Sequence, residues 1–242
     1  MKTMHLPRTP AQSTRAGTLD VRPSSWVERL AWAGIVGPVL FTATFLAQEA
    51  SRRDEYNPLA EPVSALEAGP NGWIQQINFV VFGLLTIAFA VGLNLGPRRS
   101  RLGLFGPTLF AVSGIGLLLA AAFPLREDAA GVTYDPGGHL IAGLIFFLAS
   151  ALALTALSRR LARDPSWRSL ATYSLVAGVI SLLSLPAMGL LVMPDDAPLH
   201  EWAGLAQRML ILLVLFPCRV LLSVRLLQIA KRPSADRRAR QG

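Results

Sequence analysis

Cysteine is nearly missing from this chain. Cys218 is the only one, so no internal disulfide forms and the count says nothing about redox compartment. Histidine is almost as scarce, with His5, His139 and His200 alone. Charge is thin: 16% of residues carry it, against about 25% in an ordinary soluble domain. The motifs that announce common hydrolytic or metal chemistry are missing too. There is no HExxH helix, no CxxC pair and no GxSxG elbow. Any function therefore rests on isolated polar residues.

What fills the chain instead is apolar sequence, 52% of its 242 residues. Six runs, at about 30–48, 73–95, 102–123, 138–157, 169–193 and 202–226, each approach or exceed the roughly 20 apolar residues that cross a bilayer. A soluble bundle is excluded, because six such helices would keep almost no polar face for water. The joints between runs are short and rich in Pro, Gly and charge, as turns between spans should be. The predicted fold class is all-α: a polytopic bundle of six transmembrane helices. Its membrane domain covers 30–229, between a polar tail at 1–29 and a basic tail at 230–242. The first 29 residues have no apolar h-region. The expectation is no cleaved signal peptide, with the first run as an uncleaved anchor.

The net charge of +8 matters less than its placement. Basic residues dominate the tail 1–29, the joint 96–101 (Arg98, Arg99, Arg101), the joint 158–168 and the C-terminal tail. Acids dominate 49–72, 123–137 and 193–201. The two kinds of segment alternate along the chain. Positively charged segments stay on the cytoplasmic side. The expectation is a plasma (inner) membrane protein with both termini in the cytoplasm and the acidic joints outside. The basic segments then act as topology signals that also touch anionic lipid. Nucleic acid is not needed to explain them.

Short frames recur. GIVGPVLF (34–41) and GLFGPTLF (103–110) share GxxGPxLF. Each proline removes a backbone donor and displaces the carbonyl of Gly34 or Gly103, and small residues there permit close helix approach. HLIAGL (139–144) and HEWAGL (200–205) share HxxAGL, 61 residues apart. A further step back of the same length reaches Asn78. The spacing suggests three repeated helical hairpins, a parallel repeat of the kind that builds central sites in membrane proteins.

The distinctive polar residues gather in the acidic joints and the helix ends beside them. In the last run, Glu201, Arg208 and Arg219 are spaced by 7 and 11 residues, which puts them within about 20–40° of one helix face. Arg208, alone in a bilayer, would cost at least ~2.5 kcal/mol, so it should face the interior and meet an acid: Glu201, Glu67 or Glu49. Arg219 and Arg225 are placed to snorkel to the cytoplasmic headgroups.

Three functional readings follow, beside a purely structural one in which these residues are helix-edge pins. In the first, Arg208, Asn78, Ser64, Glu67 and Glu201 bind a lipid headgroup or small anion in an outer pocket. In the second, His139, His200 and Asp135, with Glu67 or Glu201, hold a zinc ion that activates water for a membrane hydrolase. Ser64 as a nucleophile has no base adjacent in sequence. In the third the chain is a transporter, with Pro186 and Pro217 as helix breaks.

The GxxGPxLF opening, Tyr56, Ser64 and Leu66, the Gly69…Gly72-Trp73…Asn78 stretch, Phe123-Pro124, His139, and Gly204…Gln207-Arg208 occur in an order that resembles the bacterial and archaeal membrane family called domain of unknown function 998. The resemblance covers roughly 30–230. It implies six spans and specifies no reaction. One departure is that the acids Glu127 and Asp128 stand three and four residues past Pro124 rather than nearer to it.

Overall fold

Each apolar run folds into a helix, because a chain in hydrocarbon can satisfy its backbone N–H and C=O groups only from within. The computed structural model describes residues 24–95, 104–194 and 196–231. The tail up to residue 23, the basic joint with Arg98, Arg99, Arg101 and Gly103, Asp195 and the tail from residue 232 lie outside the described residues. The spans are α1 (Ser24–Ser51), α2 (Trp73–Leu95), α3 (Phe105–Ala122), α4 (His139–Ala162), α5 (Ala171–Leu191) and a composite last span. That span runs through a 3-10 turn (His200–Trp202), α6 (Ala203–Met209), a π-helical stretch (Leu210–Leu215) and α7 (Phe216–Ala230). All six are long and apolar enough to cross a membrane. Pro217 follows the π stretch and lacks the N–H that an α-helical turn would offer to Leu213, so the local register widens there.

The helices form a ring in chain order. Each of the first five packs on the next, and the last span returns to α1. Glycines sit at these crossings. An ideal Cβ on Gly83 would stand 2.8 Å from the Gly114 carbonyl oxygen, and one on Gly116 would stand 2.7 Å from the Phe146 nitrogen. Only hydrogen fits there, and close backbone approach is how helices associate where lipid tails are as apolar as leucine. Gly178 does the same between α5 and α4, and Gly92 between α2 and α1. The third expected hairpin is the loose one. α5 leans on α4 and meets the last span mainly at the π stretch. Only 22% of its most apolar window is buried, against 56% for the last span, so α5 is the outlying member of the ring.

The two GxxGPxLF frames fold differently. Pro38 lies mid-helix in α1, and Gly34 and Gly37 bring Ser223 and Arg219 of the last span close. Pro107 is in the first turn of α3, where its missing N–H would have no helical partner anyway. In the 123–137 joint a small antiparallel hairpin pairs β1 (Arg126–Glu127) with β2 (Thr133–Tyr134).

Candidate functional site

The acidic end of the bundle is organised by the 49–72 joint, which folds over the head of the last span. The N–H groups of Gly204 and Leu205 donate to the carbonyls of Ala60 and Leu59, at 3.1 and 2.9 Å. These are donors at a helix start that the helix itself cannot satisfy. Gly204 permits the contact, since a Cβ there would fall among the Glu61 and Pro58 carbonyl oxygens.

Arg208 locks this arrangement. Its Nε and Nη2 donate to Glu49 Oε1 at 3.1 and 2.5 Å, Nη2 also to the Tyr56 hydroxyl at 2.6 Å, and Nη1 to the Glu61 carbonyl at 2.9 Å. Tyr56 in turn donates to the carbonyls of Glu61 and Pro62. Burial pushes the Tyr56 phenol far up, against the pull of Arg208, so it stays neutral. Of the three acids offered by the sequence, Glu49 is the partner. Glu201 is exposed and accepts from Trp202 Nε1 at 3.0 Å. The single-face expectation holds only for the two arginines, which are both buried toward α1; Glu201 leaves that face because it belongs to a 3-10 turn and is exposed.

Arg219 corrects a second expectation. It does not snorkel. It is 4% exposed, its Nη1 donates to Thr86 Oγ1 at 2.6 Å, and its guanidinium lies 4.8 and 5.1 Å from the ring centres of Phe82 and Phe89. Arg225 reaches the basic joint after α4 instead, donating to the Ser166 carbonyl.

Beside the Arg208 knot lies a cavity of about 480 Å³, in the size range of small-molecule sites. Its walls are apolar, from Phe41, Phe79, Phe146, Phe147, Leu185 and Met188 among others. Its polar lining side chains are Ser64, His139 and Gln207. Leu140 and Leu144 stand at its rim, 74% and 53% exposed, on the face of α4 that lipid tails would meet. Gly143 and Gly189 also line it, and a Cβ on either would meet nothing within 4 Å. The repeated HxxAGL frame therefore serves two ends: Gly204 admits a loop backbone, whereas Gly143 leaves space.

The 3-10 turn Val63–Glu67 builds the polar end. It is held at both ends. The Val63 N–H donates to Gln207 Oε1 at 2.7 Å, and Glu67 Oε2 lies 3.1 Å from His139 Nδ1. His139 Nδ1 is also 3.0 Å from the Phe123 carbonyl oxygen. A carbonyl only accepts, so Nδ1 carries the proton and, in the neutral ring, Nε2 carries the lone pair. The Glu67 side chain is fully buried, and its Oε1 has no hydrogen-bond partner among the described residues. Burial pushes its carboxyl up, against the opposing pull of His139 and the Leu125 N–H. On the far side of Glu67 lies an open polar cleft of about 610 Å³, lined also by Gln76, Arg126, Glu127 and Asp128.

The remaining predicted site residues lie elsewhere. Asn78 donates to the Phe41 carbonyl and to Gln75 Oε1, both at 3.1 Å, and ties α2 to α1. Asp135 caps α4: Oδ1 accepts from Gly137 and His139 N–H at 2.8 and 3.3 Å, and Oδ2 from Leu140 N–H at 2.9 Å. His200 opens the last span and does not line the cavity. Among the described residues no three His, Cys, Asp or Glu side chains come together as a metal-binding group. The zinc set His139, His200 and Asp135 is thus not assembled, because Asp135 is spent on backbone and His139 Nδ1 on Glu67. Arg208 does not line the cavity either, since its N–H groups are taken by the joint that folds over it. Gln207 was missed as a site residue. The available signal was an amide beside Arg208 in an otherwise apolar span.

A family model described as protein of unknown function, DUF998, matches residues 35–224. The chain belongs to this family. No curated protein and no solved structure matches it. In this DUF998 chain the features behind the resemblance, Tyr56, Ser64, His139, Gly204, Gln207 and Arg208, gather at the acidic end.

Proposed function

We propose that this chain binds an amphiphile at the acidic end of the bundle, with the hydrocarbon chain in the apolar cavity and the polar group at Ser64, His139 and Gln207. The observation that carries this reading is the cavity itself: apolar walls, one polar end, and a rim of exposed leucines on α4. Hydrocarbon entering it leaves lipid for an equally apolar lining, so the polar end supplies the selectivity. A free anion on Arg208 finds no support, because four hydrogen bonds already engage that guanidinium. Nor does a transport path, because Phe41, Phe82, Phe146 and Phe216 pack together between the cavity and Arg219. The same reading places the bundle in the plasma membrane with its basic joints toward the cytoplasm and the cavity in the outer half. It leaves anionic lipid to the basic joints.

The test is to fill the cavity. Gly143→Trp puts an indole into open space rather than into packed neighbours. Native mass spectrometry of the protein released from membranes should find one tightly held lipid on the wild type. The variant should lose at least ~90% of it, a tenfold or greater fall in affinity, with the thermal unfolding midpoint unchanged or higher. Equal lipid retention by the two proteins would sink the proposal.

A further inference from the structure

We propose that Ser64, His139 and Glu67 form a nucleophile, base and orienter that hydrolyse a carboxylic ester of the amphiphile held in the cavity. The inference rests on the binding reading above and adds chemistry to it. Ser64 and Glu67 are three apart on one 3-10 turn, where side chains at that spacing eclipse, and the whole turn is only about 8 Å long. Glu67 fixes the His139 ring through Nδ1, and the Phe123 carbonyl fixes its tautomer. The ring and Ser64 line the same cavity, and among the described residues no protein group holds the Ser64 hydroxyl or His139 Nε2. A carboxylate on Nδ1 with a free Nε2 is the arrangement that activates a serine hydroxyl, whatever the chain order. Gln207 completes the set. Its carbonyl oxygen is committed to the Val63 N–H, which leaves its NH2 as a free donor on the cavity wall.

Ser64 Oγ attacks the ester carbonyl carbon while His139 Nε2 takes the hydroxyl proton. The carbonyl oxygen becomes an oxyanion, stabilised by the Gln207 NH2. The C–O bond to the alcohol breaks, and the imidazolium gives its proton to the leaving oxygen. The acyl group remains on Oγ. A water molecule then attacks the acyl carbon and gives its proton to Nε2, and that proton returns to Oγ as the acid leaves. Ester and water give acid and alcohol, with Ser64 and His139 restored. Glu67 is a positioning residue: it holds the ring and stabilises its charged form.

The experiment treats the full-length protein in nanodiscs with a short-chain and a long-chain alkyl fluorophosphonate, probes that phosphonylate activated serines, and reads the adduct by intact mass. The wild type should take one adduct, mapped to Ser64. Ser64→Ala should take none, and this variant loses no hydrogen bond. His139→Gln should also take none. Glu67→Gln should keep its melting midpoint yet label at least tenfold more slowly, and Glu67→Asp should recover part of the rate. Gly143→Trp should lower long-chain labelling relative to short-chain labelling. An adduct that persists in Ser64→Ala overturns the triad. So does ester turnover abolished by a chelator. A wild type that binds lipid but never labels overturns the triad and leaves the binding reading standing. A wild type that labels with both probes but retains no lipid removes the binding reading and leaves the serine chemistry.

Discussion

Arg219 shows how a buried charge is kept in hydrocarbon with no acid paired to it among the described residues. The bilayer cost of a central arginine is about 2.5–3.5 kcal/mol on insertion scales. Two desolvated ring faces at about 2 kcal/mol each offset it, and the Thr86 hydrogen bond adds to them. Arg219 Nε and Nη2 are buried with no hydrogen-bond partner among the described residues, so the ring faces carry most of the compensation. Lysine has the same charge but no planar face to lay between Phe82 and Phe89. Arg219→Lys should therefore unfold at lower temperature than both the wild type and Arg219→Met, by about 1–2 kcal/mol. Thermal unfolding of the three proteins in one detergent checks this, and a lysine variant as stable as the wild type would show that the rings do not hold the charge. The partner of Arg208 carries a related lesson. Glu49 lies 159 residues away in sequence, and nothing local distinguishes it from Glu67 or Glu201.

At the scale of elements, helix ends do the positioning. Asp135 gathers three N–H groups at the start of α4 and so sets the angle at which His139 meets Glu67. Slight burial raises its carboxyl, but the N–H groups of Leu140, Gly137 and His139 outweigh that and hold it below its ordinary value of 3.8. A carboxyl depressed in the folded state contributes stability that is complete above the unfolded value and drains away as the pH falls through the native one. Asp135→Ala should cost about 1 kcal/mol at neutral pH. The gap between variant and wild type should hold down to about pH 4 and close below it. Melting curves taken from pH 7 downward measure this, and a gap that grows on acidification would contradict the cap. Two further element-scale features escaped periodicity. The 3-10 turn at His200–Trp202 and the π stretch at Leu210–Leu215 both break the 3.6-residue count, and Glu201, spaced for the face of Arg208, ends exposed.

For the whole molecule, the alternation of basic and acidic segments predicts orientation. Cys218 is buried and easily replaced, which leaves a background free of reactive thiols. Ala129→Cys, in the exposed acidic joint, should react with a membrane-impermeant maleimide on intact cells. Ala162→Cys, at the basic end of α4, should react only after the cells are opened. The opposite pattern would invert the bundle and place the cavity in the inner half. The ring of helices also explains where space is left. Glycines close the crossings from the last span through α1 to α5, and none of the described ones closes α5 on the last span; the cavity lies at the acidic end among all six spans, where Gly143 of α4 and Gly189 of α5 face open space.

Helix number, span position and charge alternation were legible in the sequence, because hydropathy and charge are sums over neighbours and need no partner. The polar residues that matter were legible as a set: Ser64, Glu67, His139 and Arg208 all stood out against apolar surroundings. Their grouping was not. The tertiary structure sent Arg208 to Glu49, buried Arg219 between two rings, left His200 off the cavity, and brought Ser64 and His139 to one cavity end with Glu67 behind the ring. Each of those choices is set by helix register and by which crossings close tightly, and residues far apart in the chain decide it jointly.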